Sequence, residues 1–156
     1  MTLSSSEFAN EGDNQLFQAI KTRNWKDVER LLQEQPDLAK QQDEFDNTPL
    51  HSAIGFQCPD DLLLKLLQTH PEACQTHGTD DWLPLHVAAM WGVSQNVMEA
   101  LILAYPYALD DSGQNSHKGR SPRHFSGRFE HNRALLERST EEWEQIKAER
   151  NGTAKT

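Results

Sequence analysis

Four residues in the middle of the chain have side chains that could hold a metal: Cys58, His70, Cys74 and His77. Thiolates and imidazoles are the usual ligands of tetrahedral zinc, and such sites are most often anchored by a closely spaced cysteine pair. No such pair occurs here. Cys58 falls in a connection between two expected helices, whereas the other three flank the end of the second helix, so no metal site is expected. A second set, His117, His124 and His131, recurs every seven residues, but Pro122 interrupts any helix that would align them. His51 and His86 share a third pattern, each following a leucine and preceding a small-residue run. No recognisable pairing of a nucleophile with a base accompanies these histidines. Neither a Ser-x-Gly nucleophile turn nor a glycine-rich phosphate loop is present. The chain is therefore expected not to be an enzyme and to carry no cofactor.

The helices that hold these residues are more informative. Leu83-Pro84-Leu85-His86 reads as the start of a short helix, with Pro84 at a position where its missing N–H costs nothing. Ala88 and Ala89 are small enough for close helix approach, and Gly92 ends the helix. Val97, Leu101, Ile102 and Ala104 follow at helical spacing as a second amphipathic helix, closed at Tyr105-Pro106 because proline restricts the residue before it. This unit repeats. Leu16, Leu50 and Leu85 are 34 and 35 residues apart, and Arg123 follows 38 residues after Leu85. Leu31-Leu32, Leu66-Leu67 and Leu101-Ile102 stand in register before Pro36, Pro71 and Pro106, and Ala39, Ala73 and Ala108 follow those prolines. A period of this length is the signature of a repeat architecture.

The words Thr48-Pro49-Leu50-His51, Leu83-Pro84-Leu85-His86 and Gly119-Arg120-Ser121-Pro122, repeated in register, resemble the ankyrin repeat from about Asn14 to Arg138. The resemblance implies an all-α solenoid of helix-turn-helix units joined by short hairpin loops. The chain then divides into a flexible leader (1–13), read from its small, polar and acidic residues, a domain of about four units (14–150; near 14–42, 43–77, 78–115 and 116–150, the last a degenerate cap with an extended helix) and a loose tail (151–156). The resemblance also implies that His51 and His86 are structural, bonding backbone between repeats. Some positions depart from the pattern. Leu83 replaces the capping Thr48 or Ser121, so Leu83→Thr is expected to add about 0.5–1 kcal/mol provided Leu83 is not buried. The hairpin glycine becomes Asp46 and Asp81, residues that tolerate positive φ. Arg123 replaces the repeat leucine, which degrades the inner contact of the last unit. Beyond it, Leu136, Trp143 and Ile146 share one helical face and are expected to cover the end of the stack, as a capping repeat does.

Composition bounds the partners. Residues 1–116 hold 6 basic and 18 acidic residues, a net of −12, and residues 117–156 hold 9 basic and 6 acidic, a net of +3. An acidic body is unsuited to nucleic-acid phosphates and suits a basic or apolar partner. No export signal or apolar run of membrane-spanning length is seen. An intracellular protein, cytoplasmic or nuclear, monomeric and with reduced cysteines, is expected.

The resemblance implies protein binding through a concave face. The residue six beyond the repeat leucine is Thr22, Phe56, Trp91 and Phe129 in turn, and Met90 precedes Trp91. Phe45 and Trp82 belong to the hairpin segments. These rings either line a binding groove or pack on one another to fill gaps between units. Asp43, Glu44, Asp46, Asp80, Asp81, Asp110 and Asp111 rim the stripe, or serve only solubility. The binding residues expected from this pattern are Phe45, Phe56, Asp80, Asp81, Trp82, Met90, Trp91 and Phe129. The expected occupant is a partner segment with aliphatic anchors and flanking Lys or Arg. The other functional class open at this point is a small ankyrin-type inhibitor or regulatory subunit of an enzyme.

Overall fold

The computed structural model of the chain describes residues 15–112 and 120–155. The expected leader (1–13), the start of the fourth unit near Ser116, and His117 lie outside the described residues. Among the described residues there are helices and turns and no strand. The first helix, α1, covers 15–21. It is followed by α2 (Trp25–Glu34), α3 (Pro49–Gly55), α4 (Asp60–Thr69), α5 (Pro84–Trp91), α6 (Gln95–Ala104), α7 (Glu130–Glu137) and α8 (Thr140–Lys155). None is long and apolar enough to cross a membrane.

The short helices α3 and α5 begin where the sequence places proline at the first helical position. Each buries its repeat leucine and histidine together with a pair of small or aliphatic residues, Ala53 and Ile54 or Ala88 and Ala89. The longer α4 and α6 bury one stripe each, Leu62, Leu63, Leu66 and Leu67 or Val97, Met98, Leu101 and Ile102. The residues before Pro36, Pro71 and Pro106 leave the helical region, with φ between −138° and −155°. Each proline then opens a five-residue 3-10 turn (Pro36–Lys40, Pro71–Gln75, Pro106–Asp110) that buries the alanine noted in the repeat. Successive units pack side by side. Helix α3 lies against α5, and α5 against the 3-10 turn Pro122–Phe125, while α2, α4, α6 and α7 contact one another in sequence.

Four expectations are corrected. Leu83 is fully buried, so a threonine there would exchange core methyls for a hydroxyl, and the proviso behind the expected gain fails. The second helix of the last unit does not continue through Trp143. It stops at Glu137, Arg138 is extended (ψ 142°), and Ser139 starts α8 by accepting the Glu142 N–H at 3.2 Å. Residues 151–155, expected as a loose tail, continue α8. The break at Arg138 lets α8 fold back on α6 and on the turn Pro106–Asp110. Trp143 is thereby 0 % exposed, its indole N–H donates to the Leu135 carbonyl at 3.0 Å, and Arg138 stands 4.9 Å over its ring.

Arg123 is also not a degraded contact. Its Nε donates to Asp110 Oδ1 at 2.7 Å, its Nη1 to the carbonyls of Leu136 and Arg138 at 2.7 Å each, and its Nη2 to Thr140 Oγ1 at 3.0 Å. Thr140 in turn donates to Asp110 Oδ2. The guanidinium thus caps the end of α7 and binds the start of α8, and with Thr140 it holds the Asp110 carboxyl below the usual carboxylate range.

Candidate functional site

A groove of about 590 Å³ runs across the middle units. Its floor and walls come from the end of α3 (Phe56), from α5 (Val87, Met90, Trp91) and from the segments leading into the next units (Trp82, Phe125). Val87, Met90 and Trp91 are spaced i, i+3 and i+4, so one turn of helix presents all three to the same side. Trp91 is 56 % exposed, although the other groove aromatics are at least half-buried. Trp82 is fixed from both sides, stacked on His86 (centroids 5.7 Å apart, planes at 14°) and edge-on to Phe125 (5.7 Å, 62°).

The hairpins that form the groove mouth are tied by polar bonds between units. Asn47 donates from Nδ2 to Thr79 Oγ1 at 2.8 Å, and Thr79 returns its backbone N–H to Asn47 Oδ1 at 2.9 Å. This fit depends on Gly78, where an added Cβ would lie 2.2 Å from Asn47 Oδ1. His51 accepts the Thr48 N–H on Nδ1 (3.1 Å) and donates from Nε2 to the Trp82 carbonyl (2.9 Å). His86 repeats this with the Leu83 N–H (3.0 Å) and the Arg120 carbonyl (3.2 Å). Both imidazoles therefore join backbone of one unit to backbone of the next. Burial lowers the pKa of His51 to about 4 and lowers that of His86, so both work as neutral rings.

Of the expected binding residues, Phe56, Asp80, Trp82, Met90 and Trp91 line this one groove. Asp46 and Asp81 take positive φ (67° and 63°), the conformation expected of an aspartate in the hairpin glycine's place, and Asp80 takes it too (59°). Asp81 and Phe45 do not line the groove, though Phe45 is 60 % exposed on its hairpin. Phe129 is displaced from the ladder. The last unit has a four-residue 3-10 turn in place of a full first helix, so the sixth residue beyond Arg123 falls at the start of α7. There the ring lies against Gly92, 2.8 Å from where a Cβ would stand, and with Trp91 borders a second concavity of about 340 Å³. Gly92 ends α5 with φ +89°, so it is required both by conformation and by space.

The acidic rim is partly committed to structure. Asp43 Oδ1 accepts the N–H groups of Phe45 (2.9 Å) and Asn47 (3.0 Å), Asp110 belongs to the Arg123 network, and Asp111 pairs with His77 at 3.0 Å. Cys58 and Cys74 are buried, and burial pushes both thiols up to about 12. His70 Nδ1 lies 3.1 Å from Glu72 Oε2, and His131 donates to the Val93 carbonyl. Among the described residues, no three His, Cys, Asp or Glu side chains converge as metal ligands. Sequence reasoning missed Val87, Phe125, Asn47 and Arg120 in the groove. Val87 could have been found, because it stands three residues before Met90 on the same helical face. Comparison with protein-family models, with curated proteins and with solved structures gives no match.

Proposed function

We propose that the chain is an ankyrin-type repeat protein that binds a segment of another protein in the groove bounded by Phe56, Trp82, Met90 and Trp91. The observation that carries this reading is Trp91. A tryptophan more than half exposed, on the rim of a concave apolar surface and beside a methionine, is the composition of an interface core and is costly on an idle surface. The repeat in the sequence and the side-by-side helix pairs support the family reading. The alternative role for the rings, filling gaps between units, fits Phe129 and Trp82 and does not fit Trp91. Asp80 at the groove wall suits a basic residue beside the aliphatic anchors, where it would select partners and speed encounter more than add affinity.

The test is Trp91→Ala in the full chain, combined with affinity isolation from cell extract and a calorimetric melt. The altered protein should melt within a few degrees of the parent and lose the proteins that the parent recovers, since a central interface aromatic commonly contributes about 2 kcal/mol or more. Unchanged recovery by a folded Trp91→Ala protein would place binding on another face.

A further inference from the structure

The charge of the groove is not uniform, and its second sign comes from Arg120. Among the described arginines, Arg30, Arg123, Arg133, Arg138 and Arg150 each pair with a carboxylate, Arg128 donates to the Met90 carbonyl at 2.7 Å, and of the remaining two, Arg23 and Arg120, only Arg120 lines the groove. The Arg120 carbonyl accepts from His86. Arg120 is exposed, lines the groove together with Phe125, and has no carboxylate within ion-pair reach among the described residues. Asp80 lines the same groove from the preceding hairpin. An exposed arginine lining an apolar groove is fitted to a carboxylate that arrives attached to an apolar group.

From this placement we infer that the occupant is an extended peptide segment whose aliphatic anchor, seated among Trp82, Val87 and Met90, is flanked by an acidic residue that pairs with Arg120. The inference rests on the groove reading above and changes the chemistry of the partner from simply basic to one that carries a carboxylate at a set distance from its anchor. Nucleic-acid phosphate is a poor alternative anion, because the first 116 residues carry a net of −12.

The experiment uses capped hexapeptides with two central leucines and a glutamate at one end, in both orders, and the same peptides with glutamine for glutamate. Binding to the isotope-labelled full chain is followed by NMR at low salt through the amides of Val87 and Met90 and the indole of Trp91. One order of the glutamate peptide should bind about fivefold more tightly than its glutamine twin, the usual worth of a partly exposed ion pair. The ratio should fall to about one in Arg120→Gln and be largely kept in Arg120→Lys. Equal affinity for the glutamate and glutamine peptides, with shifts at the groove, would overturn the carboxylate and leave the groove reading standing. No groove shift with any peptide would overturn both. Saturable displacement of the peptides by 4-methylvalerate at equal concentration would make the groove a small-acid site and overturn the peptide occupant.

Discussion

Leu85 and Arg123 hold the same place in successive units, and the molecule secures them by opposite means. In the middle of the chain, Leu85 is buried, and the histidine beside it reaches the backbone of the next unit. At the C-terminal end the first helix has shrunk to a single 3-10 turn, and the inward residue is an arginine that makes four hydrogen bonds. A leucine gains stability only where apolar surface covers it on all sides. An arginine can secure a turn that is half-open, because its rigid fork reaches helix-end carbonyls that would otherwise face water alone. The end of a repeat array is therefore a different physical problem from its middle, and it is solved here by polar capping of α7 together with one tryptophan from α8.

The contrast can be broken most severely at Trp143. Trp143→Ala should cost about 3–5 kcal/mol, the usual price of deleting a fully buried aromatic ring, read as a fall in denaturant midpoint. Hydrogen exchange should quicken in α7 before it does in α3. Uniform loss of protection would mean that the middle and the C-terminal end unfold as one unit.

Acid should act on the middle. The folded pKa of His51 is about 4 against an ordinary 6.5, so between those values the unfolded chain binds the extra proton. The stability due to the neutral ring is complete above pH 6.5 and is lost as pH falls toward 4, on the order of 3 kcal/mol in total, with His86 acting in the same direction. Melts between pH 4 and 7.5 should show this slope, and His51→Leu should flatten most of it whatever its absolute stability. An unchanged slope would remove His51 as its source.

Restoring the repeat leucine tests the end directly. Arg123→Leu should destabilise by about 2 kcal/mol, because it leaves Asp110 Oδ1, Thr140 Oγ1 and two carbonyls without their arginine donor. A stabilised variant would show that the polar arrangement merely tolerates a degenerate repeat. The smallest effect on folding is expected at Trp91→Ala, below about 1 kcal/mol, since more than half of that side chain is in water in the folded state. A loss like that of Trp143→Ala would assign Trp91 to the core.

The helices and their order were legible because proline, glycine and leucine recur at one period, and each of these residues constrains backbone or burial locally. The shared position of Phe56 and Trp91 was legible for the same reason. What failed lies where the period fails. Phe129 left the ladder because the last first-helix is too short to carry six residues past Arg123. Leu83 was read by its position as a weak cap, whereas its burial depends on neighbours from other units. The helix break at Arg138 follows from contacts of Arg123, fifteen residues away, and Arg120 entered the groove through a tertiary placement that no local pattern encodes.

The four tryptophans have one further consequence. Trp143 is sealed at the C-terminal end, Trp25 and Trp82 are half-covered, and Trp91 stands in water between two concavities. Indole emission shifts to the red as its surroundings become wetter, so the two extremes of this series emit at different colours. Variants with phenylalanine at Trp25 and Trp82 would leave a blue signal that reports on the closed end of the chain and a red one that reports on the groove. The two regions could then be watched separately in one sample with no attached dye.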